Sequence, residues 1–471
     1  MNLNIIESIH DKNIFKPLFK DLSTWRAWEV YLRTLEGLPI EDGKDRALFK
    51  ACTELSKPPV QRYRESFVIC GRRSGKSYIS SIIASYLAAF KDWTPFLSPG
   101  EKGWIFIVAN DKSQARIIKN YISGIFNSNR MLRNLVEKDL AWEIELKNGV
   151  IVSVKTSNYR TLRGFTVLCC ILEEIAFYRS EESANPDKEI LAAVRPALAT
   201  IPDSLLLGIS TPYSRAGVLY EQFSKYFGKV GGPLIWKAPT RIMNPTIDKK
   251  IIAEALQDDP SAAQAEWEAE FRADIEAFMP PEFIEAAVVP ERFEVPRKDG
   301  NSYTGFVDPS GGRQDSFTLG IAHKESEKII LDVLRERRPP FQPKEVVAEY
   351  SQVLKDYGIS EIESDRYAGE WVTEAFREHD ISVKNSELSA SEIYINFLPL
   401  VANGTAELLD NKRLKTQLAG LERKTRPGGK DLITHFPGGH DDLANSAAGA
   451  CVLANKEKPF AFAGWYGPDW R

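Results

Sequence analysis

The chain has 471 residues, of which 43% are hydrophobic and 27% are charged. At about 150 residues per domain, this length predicts two or three folded domains. The composition is ordinary for globular proteins and excludes a wholly disordered chain. The formal net charge is −4, from 61 basic and 65 acidic residues, so any nucleic acid would have to be bound by local basic patches.

The five cysteines are scattered and form no CxxC pair, which excludes a disulfide scaffold and a zinc ribbon and predicts a reducing compartment. No apolar run approaches the roughly 18–20 residues that a membrane-spanning helix needs. The N-terminal stretch MNLNIIESIHDKNIF lacks the basic start and apolar core of a signal peptide. We therefore expect no membrane association.

Short apolar runs alternate with helical patterns over the first half of the chain. The runs lie at 65–70, 103–110, 150–157, 166–174 and 204–211. Strands that alternate with helices predict a parallel-rich sheet covered on both faces.

The pattern changes near residue 245 to charged helical sequence, followed by clustered prolines up to 298. A second α/β pattern then begins, with three neighbouring strands, a helix and a further strand, which predicts a mixed sheet. We therefore predict an α/β protein with domains at 1–244 and 299–471, the latter including a C-terminal tail. A helical lid or linker subdomain at 245–298 would connect them.

The strongest local signal is CGRRSGKS at 70–77, between an apolar strand and a helical pattern. This pattern is typical of a phosphate loop, which wraps the phosphates of ATP with backbone N–H groups. In that loop Lys76 would reach the β/γ-phosphates and Ser77 would hold Mg²⁺. Cys70 stands where glycine is usual, and a chance match in a surface turn is the alternative. The predicted ATP-binding residues of the loop are Gly71, Arg72, Arg73, Ser74, Gly75, Lys76 and Ser77.

A phosphate loop requires an acidic strand end further along, and the run VLCCILEE ends in Glu173 and Glu174. We predict that Glu173 holds the Mg²⁺ shell and that Glu174 polarises the attacking water. Aspartate is usual at the first position, and two solvated acids at a strand end are the alternative.

A guanidinium stabilises the charge that develops on a transferring phosphate. Arg163, in a turn before the acidic strand, and Arg72, within the phosphate loop, are both candidates, and either could instead be a surface or salt-bridge arginine. Ser210 and Thr211 end a further strand, where they could sense loss of the γ-phosphate or simply stop the strand.

A second set of acids lies in the C-terminal half. Asp308 and Asp365 end strands, Asp315 follows a Gly-Gly hairpin signal, and Asp441 and Asp442 precede a small-residue helix. Converging, these acids would hold two Mg²⁺ or Mn²⁺ ions about 4 Å apart for phosphodiester cleavage, as in a ribonuclease-H-like nuclease. Taken singly, each is more often a turn or capping residue, and Asp441 or Asp442 could be the N-cap of the last helix. For the last ligand we prefer Asp442.

A basic stretch lies between these acids and could hold a phosphate backbone, although a solvated helix face is an equal alternative. The candidate DNA-binding residues are Lys412, Arg413, Lys415, Arg423, Lys424, Arg426 and Lys430.

The chain resembles the large terminase subunits of tailed bacteriophages. The resemblance rests on motifs that occur in the order of that family: GRRSGKS, LEEIAF, VDPSGGRQD, SDRYAG and HDDLANSA. The resemblance implies an N-terminal P-loop ATPase that pumps double-stranded DNA into a procapsid. It also implies a C-terminal, ribonuclease-H-like nuclease that cuts concatemers. ATP with Mg²⁺ and two nuclease-site Mg²⁺ or Mn²⁺ ions would be the cofactors. Trp25 and Trp28 would lie near the adenine, with two core aromatics as the alternative.

The implied partners are double-stranded DNA, a portal protein and a small terminase subunit. Family members work as a homo-oligomeric ring on the procapsid, in the cytoplasm of the bacterial host, and we expect a monomer in dilute solution. Two other classes remain: a repair or recombination translocase with an attached nuclease, and a DNA-binding scaffold in which both sites are degenerate.

Overall fold

A computed structural model describes residues 3–156, 164–178, 186–312, 315–365, 370–425, 431–436 and 439–456. The chain forms two compact units, Met1–Glu276 and Ala277–Arg471. The expected helical subdomain at 245–298 is thus divided between them, and its boundaries stay a prediction. Within the described ranges, no helix combines the length and apolar composition needed to cross a bilayer.

The first unit contains an eight-stranded sheet with helices on both faces. Its strands are β1 Glu65–Cys70, β2 Gly103–Ala109, β3 Val136–Asp139, β4 Glu143–Leu146, β5 Val150–Thr156, β6 Thr166–Glu173, β7 Leu205–Ser210 and β8 Leu234–Ala238. Its helices are α1 Ile5–His10, α2 Arg26–Glu36, α3 Gly43–Thr53, α4 Lys76–Ala89, α5 Lys112–Asn127, α6 Arg130–Arg133, α7 Pro186–Leu198, α8 Gly217–Tyr226, α9 Thr240–Met243, α10 Lys249–Asp258 and α11 Pro260–Glu268.

The strand order is β3-β4-β5-β2-β6-β7-β1-β8, and the six strands from β5 to β8 pair in parallel. The last four residues of β1 are apolar because both faces of the strand are covered there: Val68 and Cys70 lie in one core, and Phe67 and Ile69 lie in the other. The carboxyl ends of β1, β6 and β7 therefore meet at one edge of the sheet, which is where parallel α/β sheets place their ligands.

The second unit contains a six-stranded mixed sheet and a separate hairpin. Its strands are β10 Tyr303–Asp308, β11 Phe317–Glu325, β12 Lys328–Arg337, β13 Glu361–Ser364, β14 Ser382–Asn385, β15 Ala406–Glu407, β16 Leu421–Thr425 and β17 Asp431–His435, and the short β9 Ile275–Ala277 lies at the unit boundary. Its helices are α12 Pro281–Ala287, α13 Pro343–Asp356, α14 Glu370–Arg377, α15 Ala390–Ala402, α16 Lys412–Ala419 and α17 Asp442–Asn455.

The strand order is β14-β13-β10-β11-β12-β15, with β10, β11 and β12 antiparallel and β13 parallel to β10. Alternation along β10 places Phe306 in the core that α15 and α17 cover and Val307 in the core under α13 and α14. Asp308 has the parity of Phe306 and thus faces α17. The predicted fold class, α/β with a parallel-rich sheet followed by a mixed sheet, is confirmed.

Candidate functional site

The phosphate loop follows the central strand β1 and leads into α4. Gly75 caps α4 with a left-handed φ of +88°, and a Cβ there would lie 2.8 Å from the Trp25 ring. Both the backbone angle and the close approach require glycine. The loop is thereby held beside a helix N-terminus, whose partial positive charge favours an anion.

Lys76 lies buried at the start of α4. Its Nζ donates to Thr211 Oγ1 at 2.7 Å and to Gly71 O at 3.1 Å, and it lies 3.3 Å from Glu174 Oε1. Burial, the largest single influence, lowers the pKa of Lys76, but Glu174, Cys70 and Glu173 together outweigh burial, so the pKa is raised and the side chain is a cation. A fixed, desolvated cation in this place can stabilise a phosphoryl group during transfer.

Glu173 and Ser77 together form an oxygen-rich corner at the end of β6. The Ser77 hydroxyl donates to Glu173 Oε2 at 3.3 Å, and Glu173 is only 1% exposed. Burial raises the pKa of Glu173 to about 7. A hydroxyl and a carboxylate side by side are ligands that Mg²⁺ prefers, so these two residues fit the ion that the sequence predicts.

The raised pKa of Glu173 predicts a pH-dependent stability. The folded chain binds this proton more tightly than the unfolded chain does, so stability falls as the pH rises from about 4.5 to about 7. The loss is on the order of 3 kcal/mol. Thermal unfolding in EDTA without nucleotide should show a smaller fall in stability over this pH range for Glu173→Gln than for the wild type. Glu137→Gln, at an exposed position of β3, should follow the wild type, and equal falls for all three proteins would contradict the assignment.

Glu174, the candidate base, is held by the end of β7. Its backbone is left-handed, with φ +53°, and its Oε2 accepts hydrogen bonds from Thr211 N and from Ser210 Oγ, both at 3.0 Å. Thr211 thus contacts both Lys76 and Glu174. A ligand that binds to Lys76 or Glu174 would therefore change the contacts of Thr211 at the end of β7.

The two candidate arginines have different outcomes. Arg72 NH2 lies 2.9 Å from Glu266 Oε1 on α11, and the Arg72 N–H donates to Glu266 O at 2.6 Å. The Arg72 side chain is 60% exposed, and whether it also acts on a transferring phosphate stays a prediction. Arg163 lies outside the described residues, and its role stays a prediction.

Trp28 anchors the phosphate loop. Its indole Nε1 donates to Ser74 O at 2.7 Å, and the ring is 1% exposed in the core. Trp25 packs on Gly75 and lies near Phe19 and Tyr78. Both tryptophans thus lie against the loop, and whether either contacts adenine stays a prediction.

We expect Trp28→Phe to lower the free energy of unfolding by about 1–3 kcal/mol, because the Ser74 carbonyl loses its donor in a buried place. ATP affinity should fall as well, since the loop loses its support. Trp93→Phe is a matched control, because Trp93 is equally buried and donates to Leu87 O at 2.8 Å. It should be destabilised without losing ATP affinity. Urea unfolding and nucleotide titration measure the two effects, and equal ATP affinity in both variants would contradict the anchoring role.

The second candidate site lies between β10, β13 and α17. Asp308 ends β10 and Asp365 directly follows β13, whose parallel pairing continues with an Asp365 N–H bond to Val307 O at 3.2 Å. Asn445 on α17 joins the two carboxylates, since its Nδ2 donates to Asp308 Oδ2 at 2.8 Å and to Asp365 Oδ2 at 3.0 Å. The structure therefore brings these two predicted acids together.

The remaining predicted acids lie around this pair. Asp441 is the N-cap residue of α17, although its side chain makes no capping hydrogen bond, and Asp441 Oδ2 accepts from Tyr394 OH at 3.0 Å. Asp442 Oδ2 accepts from Ser316 N at 3.4 Å. Asp315 is 59% exposed, and its carboxylate lies 3.5 Å from His440 Nδ1. His440 Nδ1 also lies 4.0 Å from Asp442 Oδ2, so it links the hairpin acid to the helix acid.

These carboxyls share one electrostatic environment. Burial raises the pKa of Asp308 well above its ordinary value, and the charges of Asp442, Asp365 and Asp441 add to the rise. Burial also raises the pKa of Asp442 to about 6, with Asp441 contributing. Acids that disfavour each other's ionisation are stabilised by a bound cation, so the donor chemistry suits Mg²⁺ or Mn²⁺. Among the described side chains, however, no three His, Cys, Asp or Glu residues form a ready metal-binding group.

The predicted DNA-binding stretch is largely ion-paired. Four of its cations lie beside acids, in the pairs Arg413–Glu336, Lys415–Asp410, Arg423–Asp431 and Lys424–Glu422. Arg426 and Lys430 lie outside the described residues. A free basic surface is therefore not evident in the described part of this stretch, and its DNA contact stays a prediction.

Two residues of these sites did not enter the predicted set. Asn445 could have been found from its position three residues after Asp442 on one helix face. Glu266 carries no local signal, because its contact with Arg72 depends on how α11 folds back.

No family model matches the sequence, and a search of curated proteins finds no match. Among solved structures, the chain is similar to the large terminase of bacteriophage HK97, with 16% identity over 91% of this chain and 99% of that one at a TM-score of 0.38. It is also similar to the large terminase of a thermophilic bacteriophage, with 11% identity, coverages of 92% and 98%, and a TM-score of 0.38. The large terminase nuclease of the thermophilic phage G20c matches 37% of this chain and 96% of its own, with 16% identity and a TM-score of 0.33.

Large terminases of tailed phages are thus among the structures that the chain resembles, as the motifs indicated. The identities and TM-scores are low, so the assignment of the sites depends on the geometry of this chain.

Proposed function

We propose that this chain is a large terminase subunit, which uses ATP hydrolysis to move double-stranded DNA into a procapsid and cuts that DNA with a divalent-metal nuclease. The observation that carries the proposal is the presence of two chemically different sites in one chain. One joins Lys76, Thr211 and Glu174 at a phosphate loop, and the other joins Asp308 and Asp365 through one amide.

In the ATPase site, each side chain has a distinct task. Lys76 balances the charge on the transferring phosphate, and Glu174 orients the attacking water and accepts its proton. Ser77 and Glu173 would hold Mg²⁺, which would supply positive charge to balance the phosphates. Thr211 contacts both Lys76 and Glu174, so loss of the γ-phosphate would change the contacts of Thr211 at the end of β7.

In the nuclease site, Asp308, Asp365 and Asp442 would hold Mg²⁺ or Mn²⁺, with Asp441 and Asp315 nearby. Two such ions, when bound, would supply Lewis acidity and an activated water for phosphodiester hydrolysis. The protein contributes a buried, rigid strand pair that keeps Asp308 and Asp365 side by side.

We further propose that the subunits act as a ring on a portal, together with a small subunit, in the host cytoplasm. Arg163 would then reach a neighbouring ATP. Mixing Glu174→Gln with Arg163→Ala tests this, because each mutant should be poorly active alone and mixed rings should regain part of the ATPase. Normal assembly without any recovery would show that Arg163 does not act on a neighbour.

The enzymatic part of the proposal is tested on the purified full chain. ATP hydrolysis should be stimulated by double-stranded DNA, and plasmid cleavage should require Mg²⁺ or Mn²⁺ and stop in EDTA. A chain that binds DNA without hydrolysing ATP or cutting DNA would instead be the degenerate scaffold, and cleavage that survives chelation would contradict the metal-dependent mechanism.

A further inference from the structure

Asn445 occupies the centre of the carboxylate site. It lies in the first turns of α17, is 4% exposed, and directs its Nδ2 to Asp308 Oδ2 at 2.8 Å and to Asp365 Oδ2 at 3.0 Å. An amide nitrogen with two hydrogens can make both bonds at once. The partially positive end of this amide therefore lies where the two carboxylates approach each other.

The other end of the same amide is not satisfied. Asn445 Oδ1 is buried and has no hydrogen-bond partner among the described residues. A buried oxygen without a partner costs free energy, and it commonly marks a place where an ion or another ligand binds. Rotation about the Cβ–Cγ bond exchanges Oδ1 and Nδ2, which have nearly the same size and shape. The rotation would bring an oxygen ligand to the two carboxylates in place of an N–H donor.

We propose that Asn445 is a metal-ligating residue of the nuclease site, with its carbonyl oxygen as a further ligand in addition to Asp308, Asp365 and Asp442. The inference rests on the proposed nuclease and names a residue that this function alone does not. Without the ion, the same amide turns its N–H groups to the carboxylates and reduces their repulsion.

Mn²⁺ binding to the full chain, measured by calorimetry without DNA or nucleotide, tests the proposal independently of activity. Asn445→Leu keeps the approximate shape but removes the oxygen, so Mn²⁺ affinity should fall about tenfold or more. Asn445→Asp keeps an oxygen and loses the N–H donor, so it should bind Mn²⁺ at least as tightly as the wild type. Ser446→Ala is the matched control, since Ser446 contacts Thr318 Oγ1 on the same helix and should leave the affinity unchanged.

If Asn445 only donates hydrogen bonds to the carboxylates, Asn445→Leu should bind Mn²⁺ as well as or better than the wild type, and that result would overturn the proposal. If Asn445→Leu does not fold, weaker binding by Asn445→Asp than by the wild type would overturn it. A wild-type chain that cuts DNA while its Asn445 variants keep normal Mn²⁺ affinity would contradict this inference alone. A wild-type chain that binds Mn²⁺ through Asn445 but cuts no DNA would contradict the nuclease and leave the ligand assignment standing. No Mn²⁺ binding by the wild type would overturn both.

Discussion

Lys76→Ala should reduce ATP hydrolysis by roughly 10²–10³-fold or more, the cost of removing a fixed charge from a developing anion. The buried Nζ lies 3.3 Å from Oε1 of Glu174, the candidate base, and 2.7 Å from Thr211 Oγ1. Lys76 therefore places a cation between these two residues. Steady-state hydrolysis and nucleotide binding together separate a defect in turnover from one in affinity.

Lys119→Ala provides the matched control for this loss. Lys119 is also buried and ion-paired in the first unit, to Asp139 on β3, so its removal costs stability without touching the phosphate loop. We expect it to hydrolyse ATP at close to the wild-type rate when folded. DNA cleavage should survive in Lys76→Ala, and hydrolysis by this variant at the wild-type rate would show that the phosphate loop is not the catalytic site.

Asp308→Asn should abolish metal-dependent DNA cleavage, with a loss of about 10³-fold or more, because a metal site contributes several kcal/mol to the transition state. The same change should not destabilise the chain in EDTA. Burial and three neighbouring acids make the ionised Asp308 carboxyl unfavourable, and an amide keeps an oxygen that can accept from Asn445.

Asp332→Asn is the control for a buried aspartate in the same sheet. Asp332 is fully buried and contacts His323 Nδ1 at 2.7 Å, so its replacement should alter stability while cleavage continues. Cleavage is read from nicked and linear plasmid with Mn²⁺, and stability from thermal unfolding. An Asp308→Asn chain that still cuts at the wild-type rate would remove Asp308 from the site.

Both candidate sites could be predicted because many of their residues lie at the ends of strands. In a parallel arrangement, strand ends that are far apart in sequence meet at one edge, which brings Glu174, directly after β6, to Thr211, directly after β7. The same rule brings Asp365 beside Asp308 through the parallel pair β13 and β10. Local sequence therefore sufficed to place these acids and the phosphate loop.

The contacts that could not be anticipated depend on distant elements folding together. Glu266 reaches Arg72 because α11 returns to the phosphate loop, and nothing near either residue signals this contact. The ion pair of Arg413 could not be predicted, because its partner Glu336 comes from the distant strand β12. Asn445 lies three residues after Asp442, but its two hydrogen bonds to Asp308 and Asp365 could not be predicted, because both acids are distant along the chain.

Protection of DNA from added nuclease tests the central proposal most directly. Linear double-stranded DNA would be incubated with ATP, portal-bearing procapsids and the wild-type chain, and the DNA that survives digestion would be measured. The account predicts protection by the wild type and by Asp308→Asn, and none by Lys76→Ala. A wild-type chain that hydrolyses ATP and cuts DNA but protects none of it would contradict packaging and favour a repair-type translocase.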